Sequence, residues 1–191
     1  MTLRAHHLGT PMFDAAAIAR RVDHLAAAIA ADTPAAHQPL VIAAILNGSC
    51  MFMADMARAL ARHAVALKID FLMLASYGQA TVSSGVIKLE HDMRLPVRNQ
   101  SVLVIDDILD SGRTLDYTCR LLRERGAVSV KTCVLLDKRI PRAVPFTADY
   151  AGFEIPDLFV VGYGLDYDHL YRELPFVAPI VFDGETPQPN R

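Results

Sequence analysis

One segment of the chain, VLVIDDILDSGRTL from Val102 to Leu115, most narrows the folds that the sequence can adopt. An apolar, β-rich run leads directly into two adjacent acids, Asp106 and Asp107. A third acid and a Ser-Gly-x-Thr turn follow, and the apolar spacing then predicts a helix over 114–125, closed by Gly126. Strand, polar turn and helix in this order form the unit from which parallel α/β sheets are built.

The same alternation recurs along the chain. The pattern predicts helices over 14–31 and 51–63, and strands over 40–46, 65–76, 86–89, 102–105, 128–136, 158–161 and 179–182. In this prediction Asp106 and Asp107 lie in the turn beyond their strand. The order favours an α/β fold with a mostly parallel open sheet flanked by helices, whose strand carboxyl ends, and the site, share one edge.

Composition excludes several classes of protein. With 191 residues, 52% of them hydrophobic and 21% charged, the chain is expected to fold as one domain with a sizeable core. A net charge of −2 gives no general electrostatic attraction for nucleic acid. No apolar run approaches the roughly 20 residues that a membrane-spanning helix needs. We therefore expect neither a nucleic-acid nor a membrane partner.

The cysteines and histidines give little sign of a metal site. Cys50, Cys119 and Cys133 have apolar neighbours and form no CxxC pair, which predicts buried free thiols rather than zinc or disulfides. Together with an N-terminus that lacks the apolar stretch of a secretion signal, this favours a reducing cytoplasm. The pair His6-His7 is expected to be disordered, and His169 exposed.

The turn after Asp107 has the chemistry of an anion site. Gly112 allows close backbone approach, and the Ser111 and Thr114 hydroxyls together with the N–H groups at a helix start can cradle a phosphate. The preceding acids suit sugar hydroxyls or a divalent metal. The Walker A pattern is absent. The alternative is purely structural: the acids end a strand, and Asp110 or Ser111 caps the helix.

The segment VLVIDDILDSGRTL resembles the phosphoribosyl-diphosphate (PRPP) signature of type I phosphoribosyltransferases. Downstream, LLDKRIPRAVPF and DYAGFEIPDLFVVGYGLDYDHLYRELPFV resemble the hypoxanthine-guanine phosphoribosyltransferases closely. Upstream, ILNGSCMFMADMARAL and SYG…SSG resemble that family's pyrophosphate loop and mobile lid. The resemblance covers about residues 40–182. It implies a type I phosphoribosyltransferase fold in one domain, with a core of about 36–165 and a small hood formed by N- and C-terminal segments, 1–35 and 166–191.

The resemblance also implies roles for individual residues. Asp106 and Asp107 would hold the ribose 2′- and 3′-hydroxyls, and Asp110, near purine N7, would be the general base. The segment expected to wrap the 5′-phosphate consists of Asp110, Ser111, Gly112, Arg113 and Thr114.

On the base side, Lys138 matches the lysine that donates to the purine 6-oxo group. Because an ammonium only donates hydrogen bonds, it favours that oxygen over the amino group of adenine. Phe159 would stack on the base, and the backbone of Val160 would contact its edge. Asp166 matches an acid near the base and the second metal, and Arg172 matches an arginine that contacts pyrophosphate.

The pyrophosphate loop corresponds to Asn47-Gly48, and the match of LNG predicts a cis peptide bond before Asn47. Ser76 and Tyr77 would contact substrate at the start of a lid, 76–85, that closes to keep water from an oxocarbenium-like transition state. The implied cofactor is Mg²⁺, held by Asp106, Asp107 and Asp166.

Two positions depart from the family pattern. Asn47 stands where Lys or Arg is common, so we expect weaker affinity for pyrophosphate. Asp106 stands where Glu is common, and its shorter side chain makes a water- or metal-mediated contact with ribose the expectation.

The function implied is purine salvage: Mg²⁺-dependent transfer of the 5-phosphoribosyl group from PRPP to hypoxanthine or guanine, giving IMP or GMP and pyrophosphate. The expected partners are PRPP and a 6-oxopurine, in a homodimer or homotetramer. Two alternatives stay open. One is a preference for xanthine or another purine. The other is a PRPP-sensing regulator on the same fold, which would need a basic face to bind nucleic acid.

Overall fold

The computed structural model describes residues 4–33, 39–76 and 87–183. The helices are α1 (Ala15–Asp32), α2 (Cys50–Arg62) and α3 (Arg113–Glu124). The strands are β1 (His6–Leu8), β2 (Leu40–Leu46), β3 (Leu67–Ser76), β4 (Ile87–His91), β5 (Ser101–Leu109), β6 (Ser129–Lys138), β7 (Tyr150–Ile155), β8 (Val160–Val161) and β9 (Ala178–Phe182).

The main sheet has six strands in the order β4-β3-β2-β5-β6-β7, and only β4 runs antiparallel to its neighbour. Strand β2 is apolar throughout because helices cover both sides of the sheet. Leu40, Ile42 and Ala44 belong to the core under α1 and α2. Val41 and Ala43 belong to the core under α3. The mostly parallel sheet with helices on both faces is therefore confirmed.

The order of the strands determines where a cleft can form. From β2 the chain crosses to β3 on one side and later to β5 on the other. The loops that follow β2 and β5 consequently diverge, and ligands in open α/β sheets bind at the carboxyl ends of such a strand pair. Here those ends are Leu46 and Leu109.

Strand β5 is longer than the sequence pattern predicted. Its parallel pairing with β6 continues to Leu109 opposite Asp137, so Asp106 and Asp107 lie inside the strand. The prediction that these two acids belong to a turn is wrong, because the sheet continues where the apolar run stops.

A second, three-stranded sheet has the antiparallel order β1-β9-β8 and joins N- and C-terminal segments. From the N-terminal segment, β1 pairs with β9, and Phe13 forms an isolated bridge with Val177 just before β9. Helix α1 packs instead on α2 and β7 of the main layer, and Phe13 stacks on Phe153 with ring centroids 4.0 Å apart. The expectation that His6 and His7 are disordered is wrong, because both lie in β1.

Strand β7, which the pattern missed, forms one edge of the main sheet. Arg21 of α1 reaches over it and donates hydrogen bonds to the carbonyl oxygens of Gly152, at 2.6 Å, and Ala151, at 2.8 Å. An edge strand otherwise offers unpaired backbone groups to other chains. The guanidinium thus covers part of this edge.

The three cysteines are free thiols. Cys119 and Cys133 are buried as predicted, and burial raises the pKa of the Cys119 thiol to about 11. Cys50, the first residue of α2, is exposed, so the prediction of a buried thiol is wrong there. In the described ranges, no helix combines the length and apolarity needed to cross a bilayer.

Two neighbouring residues of α2 test how the helix packs. Phe52 is fully buried, whereas Met51 is 42% exposed. Phe52→Ala should lower the free energy of unfolding by about 3–5 kcal/mol, because the truncation leaves a cavity in the core. Met51→Ala should change it by less than about 1 kcal/mol. Urea denaturation of both variants measures the difference, and equal losses would contradict this packing.

Candidate active site

A cavity of about 320 Å³ opens at the carboxyl ends of β2 and β5. Most of the residues predicted for the site line it: Asn47, Gly48, Asp106, Asp107, Asp110, Ser111, Gly112, Thr114, Asp166 and Arg172. These residues come from four separate stretches of the chain. The parallel sheet brings together the residues at the ends of β2 and β5 because the carboxyl ends of its strands share one edge. Asp166 and Arg172 come instead from the segment between β8 and β9 of the second sheet.

The start of α3 forms one wall of the cavity. Gly112 is the N-cap and has a left-handed φ of +79°. A side chain there would meet the carbonyl of Val144, whose own N–H donates to Ser111 O at 3.1 Å. No side chain in the described ranges caps this helix, so the alternative in which Asp110 or Ser111 is its cap does not hold. The first N–H groups of a helix have no intrahelical acceptor and can bind an anion.

Asp106 and Asp107 form the most unfavourable electrostatic arrangement of the site. Asp106 is buried, and desolvation followed by repulsion from Asp107 raises its pKa well above the usual range. Desolvation also raises the pKa of Asp107, although the positive charge of Arg172 opposes the shift. The Asp107 and Ile108 N–H groups donate to these carboxylates at 3.1 Å and 2.8 Å. A cation or sugar hydroxyls bound here would replace water that folding removed.

The loop after β2 is fitted against Asp107. The peptide bond between Leu46 and Asn47 is cis, as predicted. A Cβ on Gly48 would overlap the Asp107 carboxylate, so only glycine fits while that carboxylate keeps its position. Gly164, with φ of +103°, in turn packs on the carbonyl of Gly48. The Asn47-Gly48 loop is therefore held between the end of β5 and the turn at Gly164.

The segment after Gly164 carries the next two predicted residues. The Arg172 guanidinium pairs with Asp166 at 2.8 Å and donates to the Gly164 carbonyl at 2.6 Å. The N–H of His169 donates to Asp166 at 2.8 Å, while His169 itself is exposed, as expected. Asp166 and Arg172 thus reach the cavity as an ion pair attached to the Asn47-Gly48 loop.

Lys138, the last residue of β6, stands beside the cavity rather than in its wall. Its Nζ lies 3.2 Å from Asp110 Oδ2 and 3.2 Å from Asp157 Oδ1, and only 13% of its side chain is exposed. Asp157 is a contact that the sequence analysis missed. Its signal was its place two residues before Phe159.

Phe159 follows β7 and is 48% exposed. Its ring meets the ring edges of Tyr167, at 5.7 Å, and Phe182, at 6.3 Å, and neither tyrosine nor phenylalanine was anticipated here. Val160 begins β8 and is buried.

Two further predicted residues, Arg113 and Ser76, are end residues of their elements. Arg113 is the first residue of α3, and Ser76 is the last residue of β3. Tyr77 and the rest of the expected lid, to residue 85, lie outside the described residues.

The donor set is compatible with a divalent cation. Asp106 and Asp107 offer hard carboxylate oxygens to one cavity, and their desolvation favours a nearby positive charge. In the described part of the chain, no three His, Cys, Asp or Glu side chains cluster as a metal site, so Asp166 does not complete a cage. Mg²⁺ characteristically binds through one or two carboxylates and takes its other ligands from water and phosphate.

Comparison with known proteins places this geometry in a family. The family model described as phosphoribosyl transferase domain matches residues 11–168. The hypoxanthine-guanine phosphoribosyltransferase of Bacillus subtilis is 45% identical over 148 residues, which are 76% of this chain and 80% of that protein.

Two solved structures are similar throughout. The hypoxanthine phosphoribosyltransferase of Trypanosoma cruzi in complex with the product IMP superposes with a TM-score of 0.83 at 38% identity, covering 94% of this chain and 96% of that one. Another structure of that enzyme, concerned with its C-terminal region, oligomeric state and enzymatic activity, gives a TM-score of 0.85 at 38% identity, covering 95% and 94%.

The raised pKa of Asp106 predicts how stability depends on pH. A carboxyl whose pKa is higher in the folded protein binds its proton more tightly there. The free energy of unfolding therefore falls as pH rises from about 4 through the folded pKa. Asp106→Asn, which stays neutral, should be more stable than the wild type at pH 7, and the gain should shrink toward pH 4. Urea unfolding in EDTA at several pH values measures this.

Asp70→Asn is the control of opposite sign. Burial alone would raise the pKa of Asp70, but N–H groups of Leu95, Phe71 and Arg94 donate to its carboxylate and lower it overall. The ionised Asp70 carboxylate therefore stabilises the folded protein above the pKa that Asp70 has in the unfolded chain, and this stabilisation is lost as pH falls through the lower pKa of the folded state. Asp70→Asn should therefore destabilise the protein at pH 7 and progressively less in acid. If both variants changed the free energy of unfolding at pH 7 in the same direction, the opposite pKa shifts of Asp106 and Asp70 would be contradicted.

Proposed function

Since the chain belongs to the phosphoribosyltransferase family, as an enzyme of its hypoxanthine-guanine branch, we propose that it transfers the 5-phosphoribosyl group of PRPP to a 6-oxopurine with the help of Mg²⁺. The preferred bases are hypoxanthine and guanine, and the products are IMP or GMP and pyrophosphate. This reaction is a step of purine salvage.

The observation that carries this proposal is the contact between Lys138 and Asp110. The ammonium and the carboxylate lie 3.2 Å apart at the rim of the cavity, one donating and one able to accept a proton. A 6-oxopurine presents an oxygen at position 6 and a ring nitrogen at position 7 on one edge. The pair matches that edge, since Lys138 can donate to the oxygen and Asp110 can accept from N7.

The chemistry would proceed by displacement at the ribose C1′. Purine N9 forms a bond to C1′ while the bond from C1′ to the pyrophosphate oxygen breaks, and pyrophosphate leaves with that electron pair. The proton on N7 passes to Asp110. Phe159 would hold the plane of the base by stacking, because Phe159 is 48% exposed while Tyr167 supports its ring from the side.

The phosphates and ribose of PRPP would occupy the cavity itself. The N–H groups at the start of α3, with Ser111 and Thr114, would bind the 5′-phosphate. Asp106 and Asp107 would hold the ribose hydroxyls together with Mg²⁺, which when bound neutralises charge on the leaving pyrophosphate. Arg172 would contact pyrophosphate, and the Asn47-Gly48 loop would offer backbone N–H groups to it.

We propose further that the enzyme works as a homo-oligomer in a reducing, cytoplasmic compartment. The solved relative from Trypanosoma cruzi concerned with oligomeric state supports the first point. Three free thiols, one of them exposed, support the second. Sedimentation of the purified protein would distinguish a dimer from a tetramer.

Steady-state turnover tests the activity directly. The purified protein is mixed with PRPP and Mg²⁺ and offered hypoxanthine, guanine, xanthine or adenine, and nucleotide formation is followed by absorbance. We expect turnover with the first two bases, little with adenine, and loss of activity in EDTA that Mg²⁺ restores. Preference for xanthine would revise the base, and PRPP binding without turnover of any base would favour the sensing regulator.

Asp110→Asn should lower kcat by about 10²–10⁴-fold while leaving the PRPP dissociation constant nearly unchanged, because the amide keeps the size but cannot take the proton. Asp157→Asn is the matched control, since Asp157 contacts the same ammonium but does not line the cavity. Single-turnover kinetics would establish that chemistry is being measured. An unchanged kcat for Asp110→Asn would remove Asp110 as the base.

Lys138→Ala should lower kcat/KM for hypoxanthine and guanine by about 10- to 150-fold, the value of a lost charge-assisted hydrogen bond, with a smaller effect on PRPP binding. Lys131→Ala provides the control. Lys131 lies on the same strand but near its opposite end, where it pairs with Asp32. Wild-type kcat/KM in Lys138→Ala would show that another group reads position 6.

A further inference from the structure

The strand β1 places a histidine, His6, one aromatic ring away from Phe159, the residue proposed to stack on the base. His6 lies beside the ring of Tyr167, with centroids 5.0 Å apart and the rings nearly perpendicular. Tyr167 in turn meets Phe159 edge-on at 5.7 Å, and Phe182 lies within 6.3 Å of all three rings. The aromatic group thus links the N-terminal segment to the residue proposed to stack on the purine.

The hydrogen bonds of His6 fix its orientation. Its Nδ1 lies 2.7 Å from the carbonyl oxygen of Arg4, which can only accept, so Nδ1 carries a proton. In the neutral ring Nε2 is then an acceptor, and the Tyr171 hydroxyl, 2.8 Å away, donates to it. One side chain therefore contacts two tyrosines of the segment 166–172.

That segment needs external support. Asp168, His169 and Tyr171 have φ values of +51°, +68° and +77°, a left-handed conformation that side chains other than glycine rarely adopt. Such residues persist only where the surroundings hold them. Within the described residues, the contacts of His6 with Tyr167 and Tyr171 come from outside the segment and reach both of its aromatic side chains.

We infer that His6 is a positioning residue for the purine: it holds Tyr167 and Tyr171 so that Tyr167 supports the Phe159 ring against which the base stacks. The inference rests on the proposed function. It assigns to the N-terminal strand a part in base binding, although none of β1 lines the cavity.

The effect should fall on the base rather than on PRPP. Arg172 and Asp166 are joined to each other and to the Gly164 carbonyl, so they have anchors of their own. Phe159 is held differently: its backbone carbonyl accepts the Ile180 N–H at 2.9 Å, but the contacts described for its ring are with Tyr167 and Phe182. Loss of the His6 side chain should therefore make the Phe159 ring more mobile and leave Asp166 and Arg172 in place.

His6→Ala and His7→Ala form a matched pair for the test. His7 is the next residue of the same strand, its side chain is 65% exposed, and the contact described for that side chain is with Asp183 at 3.4 Å. We expect His6→Ala to raise KM for hypoxanthine and guanine about three- to tenfold, the effect of losing one ordinary hydrogen bond or aromatic contact, because His6 acts on the base only through Tyr167. Its kcat and its KM for PRPP should stay within about twofold. His7→Ala should match the wild type in every constant.

Tyr171→Phe, which removes only the hydroxyl, keeps the test decisive if His6→Ala folds poorly. It should raise purine KM about two- to fivefold and add nothing further in the double variant with His6→Ala. Titration calorimetry of GMP binding gives the same comparison without turnover. Urea midpoints show whether any loss comes from general destabilisation.

The outcomes separate the inference from the function on which it rests. Failure of the wild type to use any purine would overturn the proposed function, and the inference with it. A working wild type in which His6→Ala and His7→Ala share one purine KM, or in which His6→Ala and Tyr171→Phe act independently, would overturn the inference alone. A parallel rise in the KM of purine and PRPP would assign His6 a merely structural role.

Discussion

Two adjacent carboxylates near the end of β5, Asp106 buried and Asp107 half-buried, set the conditions for the rest of the site. Asp106 is buried by the sheet, and Asp107 occupies the space that a side chain at Gly48 would need. Gly164 then packs on the carbonyl of Gly48, and the Gly164 carbonyl receives Arg172. A continuous series of contacts thus runs from β5 through Gly48 and Gly164 to Arg172. The two close approaches in this series require glycine at 48 and 164, and its last contact requires the guanidinium of Arg172.

The main sheet and most of the cavity could be predicted because their causes are local. β2 was predicted with both ends correct, since seven apolar residues between a Pro and an Asn-Gly turn have few alternatives. The turn at Gly112, where α3 begins, follows from the conformational freedom of that glycine. The predicted start of the first helix at Asp14 is also a local feature, since the Asp14 carboxylate accepts the Ala17 N–H at 2.7 Å.

What the sequence did not reveal depends on pairing between distant segments. Asp106 and Asp107 read as a turn because acids seldom continue a buried strand, yet the ladder with β6 carries them inside it. β1 is three residues long and is formed because β9 lies beside it. The paired residues, such as His6 and Phe182, are at opposite ends of the described chain, so no local pattern indicates the pairing. Nothing near His6 indicates that its ring will meet Tyr167. Asp157 escaped notice for the same reason, because its partner Lys138 ends a different strand.

The guanidinium of Arg21 over β7 has a consequence for how copies of this chain can assemble. A sheet grows across subunits when the edge strand of one chain accepts that of another, and each new ladder needs free carbonyls on the edge. At Ala151 and Gly152 the carbonyls already accept from Arg21, and α1 stands above them. A neighbouring strand would have to displace the arginine. Arg21 thereby opposes continuation of the six-stranded sheet across this part of β7.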